Sequence, residues 1–178
     1  MSGYIIPYRG VMPEIAGDAF IAPNATVIGK VTIGSQSSVW FNTVIRGDVM
    51  SISIGDRTNL QDGTIVHVTG GMFDTVIGSD VLIGHRAIIH GATLEDACFI
   101  GMGATVLDGA VIETGAMVAA GAMVTPGKRV KKGELWAGTP AKFFRNIGEE
   151  EFQEFAEGTE GYRQLGQEYK VVLSELDY

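Results

Sequence analysis

Aliphatic side chains return every six residues through the middle of the chain, at Ile100, Val106, Ile112, Val118, Val124 and Val130. Four residues after each of the first four stands an alanine: Ala104, Ala110, Ala116 and Ala122. Ile77 and Ile83 keep the step, as do Val27, Ile33, Val39 and Ile45. A six-residue period fits neither an amphipathic helix nor an alternating strand. It is the hexapeptide pattern of a parallel β-helix, in which one rung cannot bury its own apolar face and stacking supplies the core. With three hexapeptides to a triangular coil, residues 20–136 predict about six coils. A sandwich of short strands would instead place turn signals every ~8–12 residues. From Glu149 the pattern changes. Phe152 and Phe155, then Tyr162, Leu165, Tyr169, Val172 and Leu176, recur at three- and four-residue steps. This predicts an amphipathic helix, broken near Gly158 and Gly161, packed outside the β-helix or on a neighbouring subunit. The expected organisation is an all-β domain over residues 1–147 and an acidic helical tail over 148–178.

Setting the coils above one another brings out the chemistry. In VWFNTVIR (39–46), LQDGTIVH (60–67) and IGHRAIIH (83–90), the aliphatic Val39, Leu60 and Ile83 coincide, as do the small Thr43, Thr64 and Ala87. Arg46, His67 and His90 then share one column, and Asp62 and His85 share another. In the next coil, IGMGATVL (100–107), both columns turn apolar at Met102 and Leu107. Polar chemistry is expected on three successive coils.

Composition narrows the function. The net charge of −8 argues against nucleic acid as a partner. Residues 148–178 carry 9 acids and 2 bases, so the acidity belongs to the tail and reads as a solvated face. No apolar run reaches the ~18 residues of a membrane span. The polar start MSGYIIPYRG lacks the plan of a signal peptide, so a cytoplasmic location without membrane contact is expected. The single cysteine, Cys98, excludes a disulfide framework and falls at a small inward position, where a buried inert thiol is expected.

All three histidines of the chain lie in the two polar columns. Stacked strands are ~4.8 Å apart, so His67 and His90 can address one ion from adjacent coils. His85 lies five residues before His90, ~16 Å along a strand, and cannot join them from the same chain. A three-fold ring of prisms removes the difficulty, with the His85 corner of one subunit facing His67 and His90 of the next. Three imidazoles with positions left for water is the donor set of a catalytic zinc, and cobalt or iron(II) also accepts it.

The runs IRGD (45–48), NLQDGTIVH (59–67), IGHRAIIHG (83–91) and WAGTPAKFFRNI (136–147) resemble the gamma-class carbonic anhydrases and their bacterial hexapeptide-repeat relatives. The resemblance covers nearly the whole chain. It implies a left-handed β-helix, a homotrimer with a metal at each subunit interface, and hydration of carbon dioxide to bicarbonate. On this resemblance His67, His85 and His90 match the metal ligands, and Gln61 the residue that orients water or bicarbonate. Arg46 and Asp48 match the RGD pair, and Asp62 follows Gln61. These three are expected to fix the interface and orient ligands, with Asp62 facing the neighbour's Arg46 and His67. Asn59 is a weaker candidate beside them. Tyr162 matches a tail tyrosine that approaches the site in some relatives, or else belongs to the helix core.

Two departures bear on rate. Members with a glutamate-rich loop between the first two ligands use it to pass protons; here VTGGMFDT (68–75) holds only Asp74, and Val49 stands after the RGD aspartate in place of glutamate. Slow hydration is expected, because a positioned acid–base group speeds proton exit. The rival readings are a zinc hydrolase such as a thioesterase, a coenzyme-A-dependent hexapeptide acyltransferase served by the basic GKRVKK (127–132), and a non-catalytic metal-binding trimer.

Overall fold

The computed structural model describes residues 3–175. Short strands wind in parallel through about seven turns of a left-handed solenoid, and a single helix follows. Parallel crossovers are otherwise right-handed because a twisted strand feeds the return that way. Most rungs here are only two residues long and carry little twist to impose a hand. Two of the three prism faces merge into one 12-stranded sheet, because Thr26–Ile33 and Val44–Ile54 run through a corner without ending. At that corner Gly29 sits at φ +74°, and a Cβ on it would lie 2.5 Å from the Gly47 carbonyl oxygen. The third face is an 8-stranded sheet.

The register follows the columns read from the sequence. Val39, Leu60, Ile83, Ile100 and Val118 stack inside one face. Val27, Ile45, Val66, Ile89, Val106 and Val124 stack inside another, all of them fully buried. The abundant glycine has its cause in the turns. Gly103, Gly109, Gly115, Gly121 and Gly127 all lie at φ of 66–68°, one per hexapeptide, where a side chain is disfavoured.

The winding starts earlier than the hexapeptide count implies. Tyr4–Ile6 and Glu14–Ile15 pair in parallel with Thr26–Ile33, adding a turn that the Pro7 and Pro13 interruptions hide from the six-residue step. At the other end Lys142–Asn146 returns antiparallel along Glu134–Ala137 and stops the coil.

The C-terminal helix, Glu149–Ser174, is continuous, contrary to the expected break. Packing overrides the glycine penalty here. Gly158 lies against Leu82, and Gly166 against Ser38 and Phe20, so the missing side chains let the helix sit close on the outside of the 8-stranded sheet. The buried stripe also differs from the expected one. Phe155 stacks on Phe99 at 4.4 Å between ring centroids, and Tyr162, Tyr169 and Leu173 pack on the core, whereas Leu165 and Val172 face outward. Leu176 lies outside the described residues. Glu149, Glu150 and Glu151 sit in the first turn, where the helix dipole favours acids, and Arg145 pairs with Glu151 through both guanidinium amines. Among the described residues no helix is long and apolar enough to cross a membrane.

Candidate metal centre

Ile65–His67 and Ile88–His90 are in register, with His67 beside His90. Val66 and Ile89 fill the interior, so alternation turns the flanking histidines to the outer surface. Their rings stand 5.1 Å apart, with Nδ1 of His67 3.1 Å from Nε2 of His90. The other ring nitrogens each meet a carboxylate. His67 Nε2 lies 3.0 Å from Asp48 Oδ1, and His90 Nδ1 2.7 Å from Asp108 Oδ1. Arg46, on the coil before His67, ion-pairs with Asp48, and the Thr69 hydroxyl donates to Asp108 Oδ2 at 2.7 Å. Burial works to raise both carboxylates. The hydrogen bonds from His67 and Arg46 on one side, and from His90 and Thr69 on the other, outweigh it and hold Asp48 and Asp108 below the usual carboxylate range.

This arrangement decides where the lone pairs are. A neutral imidazole has one N–H and one acceptor nitrogen. If His67 and His90 each give their N–H to a carboxylate, two acceptor nitrogens face each other at 3.1 Å, an arrangement that a shared proton or a metal ion between them makes favourable. A tetrahedral zinc with about 2.05 Å bonds would separate two nitrogen ligands by about 3.3 Å. The donor set and its spacing fit a divalent ion.

His85 stands elsewhere on the chain. Its Nδ1 is 2.9 Å from Asp62 Oδ2, its side chain is 39% exposed, and its backbone N–H donates to Gln61 Oε1 at 3.1 Å. Among the described residues of one chain, no three His, Cys, Asp or Glu side chains converge as a metal site. The candidate residues therefore form two separate clusters. One holds Arg46, Asp48, His67 and His90; the other holds Gln61, Asp62 and His85. Within the chain Asp62 already meets His85, and Arg46 already meets Asp48.

Asn59 is buried at 1% exposure, in the column of Ser38 and Leu82, and neither atom of its amide has a hydrogen-bond partner. Tyr162 packs edge-on against Trp40, with ring centroids 5.4 Å apart. Burial, then the Asp62 charge, raise its phenol above the ordinary value, so this tyrosine belongs to the helix core while lying within electrostatic reach of Asp62, the partner of His85. Cys98 is buried, and burial pushes its thiol up. Asp74 is held by the Ser51 N–H and hydroxyl at 2.7 and 2.6 Å.

Asp108 and Thr69 escaped the column reading. Leu107 occupies the histidine column, and the carboxylate reaches back from the next residue, in the column of Gly91. Polar chemistry therefore extends to a fourth coil. The glycine directly after His90 was the available signal, since a Cβ there would collide with the Asp108 carboxylate.

A family model described as the hexapeptide repeat of succinyl-transferase matches residues 74–108 and 92–126. The carbonic anhydrase of Geobacillus kaustophilus is 44% identical over 171 residues, covering 96% of this chain and 93% of that protein. The mitochondrial gamma carbonic anhydrase 2 of Arabidopsis thaliana is 49% identical over 160 residues, 87% of this chain; the match spans 58% of the plant protein's length. A hexapeptide transferase family protein from Anaplasma phagocytophilum superimposes with a TM-score of 0.90 at 50% identity, covering 93% of this chain and 98% of that one. The chain belongs to the gamma-class carbonic anhydrase-like hexapeptide-repeat family.

Proposed function

We propose that the chain is a metal-dependent carbonic anhydrase that works as a ring of three. His67 and His90 of one copy and His85 of the next would hold a divalent ion, zinc by donor preference, with cobalt and iron(II) meeting the same set. The observation that carries this reading is the facing pair of histidine nitrogens at 3.1 Å, each ring held from behind by a carboxylate. A ring is supported by the surface beside them. Val44, Ile65 and Ile88 form an outward column on the same face, with Ile65 39% and Ile88 40% exposed, an apolar surface suited to another copy of the chain.

Bound there, the ion supplies a Lewis acid that makes water nucleophilic toward carbon dioxide at neutral pH. The residues of the chain do the rest. Asp48 and Asp108 hold the outer N–H groups of His67 and His90 and so direct the opposite lone pairs inward. Gln61 has its carbonyl oxygen engaged by the His85 N–H, which leaves its amide hydrogens to orient a substrate oxygen. Arg46 neutralises Asp48. Proton exit is the weak step, since Val49 is exposed where an acid is wanted and Asp74 is tied to Ser51.

The acyltransferase reading, suggested by the name of the Anaplasma neighbour, is less well supported. It uses one histidine rather than three with carboxylates, and Arg129 of the basic stretch is already engaged by Glu113. The test is metal content and carbon dioxide hydration measured on one anaerobically purified sample, with acyl-coenzyme A hydrolysis and acyl transfer assayed alongside. One ion per chain, lost in His90→Ala together with hydration, is the expected result. An unchanged metal load in His90→Ala, or acyl-coenzyme A turnover without hydration, would refute the reading.

A further inference from the structure

We propose that Asp108 is the positioning residue for His90, clamped for that task by Thr69 of the 68–75 loop and admitted by the missing side chain of Gly91. The inference rests on the reading of His90 as a metal ligand. Three separate parts of the chain set the geometry of the Asp108–His90 bond. The coil after His90 supplies the carboxylate, whose Oδ1 lies 2.7 Å from His90 Nδ1. The loop after His67 supplies the Thr69 hydroxyl, which donates to the other oxygen at 2.7 Å. Gly91 supplies space, for an added Cβ would meet the Asp108 carboxylate and lie 3.0 Å from Phe73 Cβ.

The loop is folded for the purpose. Thr69 and Phe73 exchange backbone hydrogen bonds across the turn, and the Phe73 ring lies against Gly109, just beyond Asp108. This fixes Thr69 over the carboxylate. With both oxygens engaged, Asp108 has one orientation in which to accept the His90 N–H. That bond selects the tautomer with the lone pair on Nε2, the nitrogen facing His67. Without it the ring can flip or bond elsewhere, and the lone pair is no longer directed at the ion. Partners behind a metal-bound histidine typically change metal affinity by ~10–100-fold. A merely structural Asp108, pinning the loop through Thr69, would leave that affinity unchanged.

The experiment titrates metal-free, full-length protein with cobalt(II) against a competing chelator, recording affinity and the visible absorption spectrum. The proteins are the wild type, Asp108→Leu, Asp108→Asn, Thr69→Val and His90→Ala. Asp108→Leu should bind cobalt ~10–100-fold more weakly with an altered visible band. Asp108→Asn keeps an acceptor in the same shape, so it should fold, restore the wild-type band and lose only part of the affinity. Thr69→Val should weaken binding less than Asp108→Leu. If His90→Ala abolishes binding while Asp108→Leu and Asp108→Asn bind within twofold of wild type with an unchanged spectrum, the positioning role is refuted and the metal reading stands. If Asp108→Leu does not fold, wild-type affinity and spectrum in both Asp108→Asn and Thr69→Val refute it equally. A wild type that binds no cobalt, or a His90→Ala protein that binds as well as wild type, removes the metal reading and this inference with it.

Discussion

The division of the histidines between two clusters makes a quantitative complementation test of the proposed ring available. His67 and His90 face each other on one surface of the chain, while His85 sits with Asp62 on another. In the proposed ring each site draws two ligands from one copy and one from the next. A pure His67→Ala ring and a pure His85→Ala ring should each lack every complete site. Denatured together in equal amounts and refolded, about three-quarters of the rings would be mixed, given random cyclic assembly. Each mixed ring contains one directed interface in which an intact His67–His90 pair meets an intact His85. About a quarter of all sites should therefore recover. The structure adds an internal control. His67→Ala mixed with His90→Ala should recover nothing, because those two ligands come from the same copy and every interface then lacks one of them. Metal load by elemental analysis after verified subunit exchange reads both outcomes. Zero recovery in the first mixture would refute the shared site, and recovery in the second would refute the pairing of His67 with His90.

Further outcomes follow from the rungs and the proton path. Ile89 is fully buried and Ile88 points outward from the same strand, so Ile89→Ala should cost ~2–5 kcal/mol in chemical denaturation. Ile88→Ala should instead weaken association in sedimentation; equal losses of stability from both would contradict the assignment of inside and outside. Hydration should be limited by proton transfer and rise with the concentration of an imidazole-type buffer, and Val49→Glu should raise the rate at low buffer. Fast turnover independent of buffer would show that another residue already carries the proton.

Most of the solenoid was legible because each rung repeats one decision: a branched aliphatic inside, a small residue beside the turn, a residue able to adopt positive φ at the corner. Errors of register are therefore visible against the coils on either side. Val39, Leu60 and Ile83 align in the sequence pattern alone, and their strands pair in that register. The helix was harder. Gly158 and Gly161 read as breaks because propensity is local, whereas the close approach to Leu82 at Gly158, and to Phe20 at Gly166, is not. The same blindness shifted the buried stripe, since Leu165 and Val172 satisfy the three- and four-residue spacing as well as Phe155 and Leu173 do. The first turn was missed for the opposite reason. Tyr4–Ile6 joins the solenoid through pairing with Thr26–Ile33, across a segment that no longer keeps the six-residue step.

The candidate site divides along the same line between what a period encodes and what it does not. A stacked coil places identical positions ~4.8 Å apart, so two histidines in one column become neighbours wherever the column is read correctly. The carboxylates behind them lie outside the histidine column. Asp48 lies two residues past Arg46 on a strand running through a prism corner, and Asp108 lies one residue past Leu107, in the column of Gly91. Asp108 reaches its histidine because Gly91 leaves the space for it, while Gly47 lets the Asp48 strand pass close to its neighbour. A Cβ on Gly47 would lie 2.5 Å from the Lys30 carbonyl oxygen, and one on Gly91 would occupy the space of Asp108. The histidines lie on the regular part of the solenoid. The groups that hold their outer nitrogens lie at its corners, Asp48 on a strand that runs through one and Asp108 at the turn that follows Leu107.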